Sequence, residues 1–258
     1  MSPLINKIRN SFNFLPSVYL MPKIKKTSIS DFFYFNLTNN YQTKILLFNL
    51  SSHVLPEFEQ VEKVKFFVFD FEGNLMSQKT INLEYQETRE IFISDFTTAP
   101  YGSFFAFHEF DNFGSLLEQN SFISERGYVA YKYCDSIWSF VHGNHNAAYL
   151  DNNNKIHSIL ATSIMKNNIY QPQVSFLDQE NFELIINNPS SIHNKVIIKL
   201  KDLNNNLLDD FNVSIKPFGT FKFSSKMKAN LIEINSNYIL NRPIIVKYYK
   251  DNFDVFHG

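Results

Sequence analysis

The residues best equipped for recognition chemistry lie in one stretch. It runs Arg126-Gly127-Tyr128-Val129-Ala130-Tyr131-Lys132-Tyr133, then Trp138-Ser139-Phe140-Val141-His142-Gly143-Asn144-His145-Asn146. Aromatic faces stack on sugar rings or bases, while Asn, His and Arg supply directional hydrogen bonds. Together they suit a polar, ring-shaped ligand. The candidate ligand-binding residues are Arg126, Tyr128, Tyr131, Trp138, His142, Asn144, His145 and Asn146. The structural alternative makes Tyr128 to Tyr133 an alternating strand and Trp138 a core anchor.

Metal chemistry is the next candidate. Strand residues three apart point to opposite faces, so His142 and His145 share one ion only if Gly143 and Asn144 form a turn. A third ligand then has to come from elsewhere, for example His108, Glu109, His157 or His193. His108-Glu109 also has the composition of an acid–base pair, but neighbours on a strand face apart. Asp209-Asp210 reads as a solvated strand or turn. No Gly-rich phosphate loop, Gly-x-Ser-x-Gly elbow, His-Glu-x-x-His or Cys-x-x-Cys occurs. The lone Cys134 excludes an intramolecular disulfide and a Cys-rich zinc site. No catalytic residue, metal or cofactor is assigned.

The elements that must position these groups are strands. Residues 63–93 overlay residues 195–225 without a gap. Val64 meets Val196, Asp70 meets Asp202, Asn74 meets Asn206 and Thr88 meets Thr220, a constant separation of 132 residues. Each stretch reads as strand, polar turn and strand, with Asp70-Phe71-Glu72-Gly73-Asn74 and Asp202-Leu203-Asn204-Asn205-Asn206 as the turns. Phe104 to Phe107 and Ile244 to Tyr249 read as closing strands, and Val18-Tyr19-Leu20 echoes Ala148-Tyr149-Leu150. A short helix is expected at Ile156 to Met165 and a helical turn around Leu116-Leu117. Several short strands with regular turn signals predict an all-β protein. The expected form is two tandem antiparallel β-sandwich domains, Ig-like or jelly-roll-like, with little helix. The division is placed near residue 120, giving domains 1–120 and 121–258, the second carrying the aromatic, His- and Asn-rich segment 126–149.

Composition narrows the partners. The chain has 258 residues, a net charge of −1, 28 Phe, 13 Tyr and 7 Gly. Residues 1–120 carry 10 cationic and 13 anionic groups, and the remainder 14 and 12. Neither half has the single-sign field of a dedicated nucleic-acid binder. The stretch after Lys7 and Arg9 is broken by Pro16 and Pro22, a poor signal-peptide core, and no run is long enough to span a bilayer. A soluble, cytoplasmic protein is expected. The apolar run Phe253-Asp254-Val255-Phe256-His257-Gly258 is expected either to pack back on the sandwich or to dock on another subunit, and with the abundance of Phe it points to homo-oligomerisation.

The second copy carries Trp138, Gly143, Phe176 and Glu180, Asn187 at a strand end, the turn at Asp202, and Pro217 with Thr220. Ile234-Asn235-Ser236-Asn237 then precedes Pro243-Ile244-Ile245-Val246. This order resembles the sensory rhodopsin transducer family, small soluble β-sandwich proteins that oligomerise and have been compared with carbohydrate-binding modules. The resemblance covers about half of the chain, is interrupted between Asn237 and Pro243, and implies a fold but no functional residue. The function expected is non-catalytic recognition of a saccharide-like ligand or a protein partner. The alternatives are a metal-dependent jelly-roll enzyme using His142 and His145, and a structural or assembly subunit.

Overall fold

The computed structural model describes residues 28–38, 40–54, 56, 59–110, 123–125, 127–151, 153–159, 168–172, 176, 180–236, 242–250 and 252–257. The protein is all-β. Among the described residues the helix amounts to α1 (Leu50–Val54) and one 3-10 turn (Ile93–Asp95).

The strands among the described residues form four sheets. Sheet I orders β11 (Ile156–Ser158), β10 (Asn144–Leu150), β1 (Ser28–Asn36), β6 (Tyr101–Phe110), β3 (Glu62–Asp70) and β4 (Leu75–Leu83), with β7 (Ile123–Glu125) parallel to β1. Sheet II orders β5 (Thr88–Phe92), β2 (Tyr41–Phe48), β8 (Tyr128–Tyr133) and β9 (Ser139–His142). Sheet III orders β16 (Thr220–Ser225), β13 (Asn181–Asn187), β18 (Ile244–Tyr248) and β19 (Phe253–His257). Sheet IV orders β12 (Asn168–Tyr170), β17 (Leu231–Ser236), β14 (Asn194–Lys201) and β15 (Leu207–Ile215).

The internal repeat is present at the level of hydrogen bonds. Val64 lies opposite Ile81 and Val196 opposite Val213, and both hairpins shift register at matching points, Val68/Phe69 and Leu200/Lys201. Asp70 accepts from the Asn74 backbone at 2.8 Å and its side-chain amide at 2.9 Å; Asp202 accepts both bonds from Asn206 at 2.8 Å. A buried Asn clamps the following loop in each half. Asn49 donates to the carbonyls of Leu83 and Glu84, and Asn188 donates to those of Ile215 and Lys216.

The expected pair of tandem β-sandwich domains is corrected, because the cores are shared. Sheet III sends Ile185, Ile244, Val246, Phe253 and Val255 into the core under sheets I and II. It sends Leu184, Ile186 and Ile245 into the core against sheet IV. A strand buried on both faces has to read as an unbroken apolar run, and Leu184-Ile185-Ile186 and Ile244-Ile245-Val246 do so. The four sheets therefore stand as small blades in a propeller-like arrangement, with no pair of them closed off as a domain. At the edge of sheet II the Ser139 hydroxyl donates to the Val255 carbonyl at 3.4 Å and accepts from its amide at 3.2 Å, stitching β9 to β19.

Strand pairing runs across residue 120. Strand β10 pairs with β1, and β8 pairs with β2, so residues after 120 complete sheets begun before it. The helix expected from Ile156 is a strand through Ser158, while 160–165 fall outside the described residues, as do Val18 to Leu20 and the turn at Leu116-Leu117. The apolar run at the C-terminus packs back as β19, with Phe253 and Val255 in the core.

A second lock joins the halves. Phe218, held at φ 57, stacks on Phe69 at 4.9 Å and meets the edge of Phe105 at 6.1 Å. Ser103 donates to the Phe218 carbonyl at 3.0 Å, and the Thr220 amide donates to the Phe71 carbonyl at 3.0 Å. Gly73 sits at φ +86 in this contact, where an added Cβ would lie 1.9 Å from the Pro217 carbonyl oxygen.

Candidate ligand-binding face

Sheet II turns one face inward and one outward. Ile45, Leu47, Ile91, Val129, Tyr131 and Val141 point into the core. The alternate residues stand outside in register: Phe92, Lys44, Ala130 and Phe140 form one row, and Glu90, Leu46, Tyr128 and His142 form the next. Phe92 is 37% exposed, Phe140 47% and Tyr128 49%, although a strand's outer face normally carries polar groups.

Trp138 completes the face. Its ring centroid lies 6.2 Å from that of Phe92, which belongs to the opposite edge strand of the sheet. The indole therefore reaches back over β8, and Ala130, with nothing beyond Cβ, leaves the trough it crosses. The Lys44 ammonium sits 4.3 Å from the indole centroid and pairs with Glu90 at 2.8 Å. The Lys44 side chain is 9% exposed, so its charge lies beneath the ring and is compensated there. Tyr128 and His142 lie against each other beside them, ring centroids 4.1 Å apart and planes tilted by 38°. The result is a row of rings with an ion pair and an imidazole between them.

The expected site residues divide as follows. Tyr128, Trp138 and His142 share this face. Tyr131 does not: it is buried in the core and donates its hydroxyl to the Tyr34 carbonyl at 2.7 Å, and burial pushes its phenol up. Arg126 lies outside the described residues, and Asn144, His145 and Asn146 are placed only as backbone of β10. Phe92, Lys44 and Glu90 went unnamed from the sequence, and Phe140 lay in the recognition stretch without being counted as a candidate. Their signal was an aromatic on the otherwise polar alternation of β5 and β9.

The remaining candidates scatter. Among the described residues no three His, Cys, Asp or Glu side chains gather in a way that could hold a metal ion. Glu109 turns outward to Lys65 at 2.8 Å, while His108 turns inward and pairs with fully buried Glu62. Their counterparts in the second half are Ser236 and Asn194, which share a hydrogen bond of 3.0 Å. A neutral pair doing the same job identifies the His108–Glu62 contact as a structural brace. His157 bonds Asp151 at 2.8 Å and stacks on Tyr149 at 4.9 Å, away from the aromatic face. Cys134 is exposed, at φ 50, in the turn after β8. No helix among the described residues is long and apolar enough to cross a membrane.

No protein-family model matches the chain, and no curated protein does. Among solved structures, β-glucuronidase 2 of Bacteroides uniformis shares 10% identity over 88% of this chain and 25% of its own, with a TM-score of 0.20. A glycosyl hydrolase family 2 member from Bacteroides cellulosilyticus shares 12% identity over 95% of this chain and 31% of its own, with a TM-score of 0.21. The chain spans about a quarter to a third of the length of these proteins. At such scores the likeness bears on neither fold nor function.

Proposed function

We propose that the protein is a non-catalytic binding protein that takes a saccharide-like ligand on the outer face of sheet II. The observation that carries this reading is the exposure of Phe92, Tyr128 and Phe140 beside Trp138 on one sheet face. Exposed rings cost solvation unless a ligand covers them, and the flat, weakly polar faces of sugar rings are suited to do so. Glu90 and His142 stand between the rings as hydrogen-bonding groups for hydroxyls. The charge pattern disfavours nucleic acid, because Lys44 is already neutralised by Glu90 and has no unpaired charge to offer a phosphate. A second reading, an apolar protein contact, draws on Ile137, 86% exposed just ahead of Trp138.

Trp138 is the only tryptophan, so fluorescence reports directly on the proposed site. Neutral oligosaccharides titrated into the protein should change its emission saturably. Trp138→Ala should weaken binding measured by calorimetry about tenfold or more, the usual weight of a central aromatic anchor. A panel of oligosaccharides that leaves the emission of the folded protein unchanged would sink the reading. An Ile137→Asp variant that keeps sugar binding intact would separate it from the protein-contact alternative.

A further inference from the structure

Besides the aromatic face, the surface holds an open cavity of about 240 Å³ where the two halves lock together. We infer that this cavity is a second, independent binding site, for a single neutral pyranose-sized ring. Phe71 and Tyr101 from the first half form its wall, stacked at 5.0 Å with their planes 25° apart. Lys216, Phe221 and Lys222 from the second half also line it, as does Glu72 from the first. Two lining residues are tied across the halves, the Thr220 amide donating to the Phe71 carbonyl at 3.0 Å.

The charges select the class of ligand. Lys216 is held by Glu72, and Lys222 by Glu183 at 3.3 Å, with the Lys222 ammonium 5.2 Å from the Tyr101 ring. Each cation thus already has an anion. An anionic ligand would meet the Glu72 carboxylate and no unmatched cation, and a cationic one two ammonium groups. A neutral polyol meets neither penalty and finds donors and acceptors on both sides. Burial, with Glu72 and Glu183 nearby, pushes the Tyr101 phenol up, so it enters the site as an uncharged hydroxyl. The volume lies below the range of drug-sized pockets, about 300–1,000 Å³, and suits one ring with little room for a chain.

The test uses saturation-transfer difference spectra with methyl α-D-glucopyranoside, methyl α-D-mannopyranoside and methyl β-D-galactopyranoside. They are recorded on the full chain carrying Trp138→Ala, which removes the anchor of the sheet II face. At least one glycoside should give a saturable signal. Adding Tyr101→Ala or Lys216→Ala should weaken it about fivefold or more. Lys216 is exposed, so the second variant decides the matter if the first fails to fold. Absence of signal from all three glycosides, or a Kd unmoved by Lys216→Ala and by folded Tyr101→Ala, overturns the site. A signal present in the native chain but abolished by Trp138→Ala alone assigns the sugar to sheet II and overturns this inference, leaving the proposed function intact.

Discussion

Gly73→Ala should destabilise the protein far more than Asn205→Ala, although the two residues occupy equivalent turns. Both sit at positive φ, +86 for Gly73 and 64 for Asn205. A left-handed conformation costs an alanine about 1–2 kcal/mol, so both variants suffer that loss. Only at Gly73 is there a second one. The new Cβ would stand 1.9 Å from the Pro217 carbonyl oxygen, whereas ordinary contact begins at 3.4 Å. The junction would have to open by about 1.5 Å. That breaks the Thr220–Phe71 bond, worth about 1 kcal/mol, and loosens the stack of Phe218 on Phe69, worth about 0.5–1.5 kcal/mol. Gly73→Ala should therefore cost about 3–4 kcal/mol and Asn205→Ala about 1–2 kcal/mol. Urea unfolding followed by circular dichroism measures both, and Gly73→Asn helps to separate the terms because Asn tolerates positive φ yet keeps the Cβ. If Gly73→Ala and Asn205→Ala agree within about 0.5 kcal/mol, the turn does not lock the halves and the reasoning fails.

Three further outcomes follow from the packing. Asn188→Ala should cost about 2–4 kcal/mol in urea unfolding, because it orphans the buried Ile215 carbonyl, served at 3.1 Å, and two part-buried carbonyls served at 2.7 and 2.8 Å; a loss under about 1 kcal/mol would mean that water replaces it. Scanning calorimetry should show one transition, since sheet III belongs to both cores, and two resolved peaks would refute the sharing. Burial pushes His257 down, so the folded state resists its protonation. Stability is then full above the ordinary value of 6.5 and falls as pH drops through it, and His257→Gln should flatten the melting temperature between pH 7.5 and 5.5.

How far the fold was legible depended on loop length. The gapless overlay found β3, β4 and β5 because their loops match in the two halves, holding Val64 and Val196 132 residues apart. Before that stretch the equivalent residues Asn49 and Asn188 lie 139 apart, and after it His108 and Ser236 lie 128 apart. Each change breaks a fixed-offset comparison. Phe104 to Phe107 was therefore matched with Ile244 to Tyr249, whereas pairing makes β17 the counterpart of β6, and β8 that of β18. The shared core was hidden for another reason. An unbroken run such as Ile244-Ile245-Val246 states that both faces are covered, but not by what.

The site was half legible because alternation gives two sets of side chains and leaves open which set meets water. In β8 the sets are Tyr128, Ala130 and Lys132 against Val129, Tyr131 and Tyr133, and aromatic content favours neither strongly. The packing of sheets I and III settles it by burying Tyr131 and leaving Tyr128 outside. Phe92 and Phe140 then become informative, for each adjoins a residue that does the core's work, Ile91 and Val141. Had the fold needed those two rings for stability, they would stand one position earlier in β5 and one later in β9. Their place on the wet side of both edge strands, with Trp138 laid between them, fits a surface that something other than this chain is built to cover.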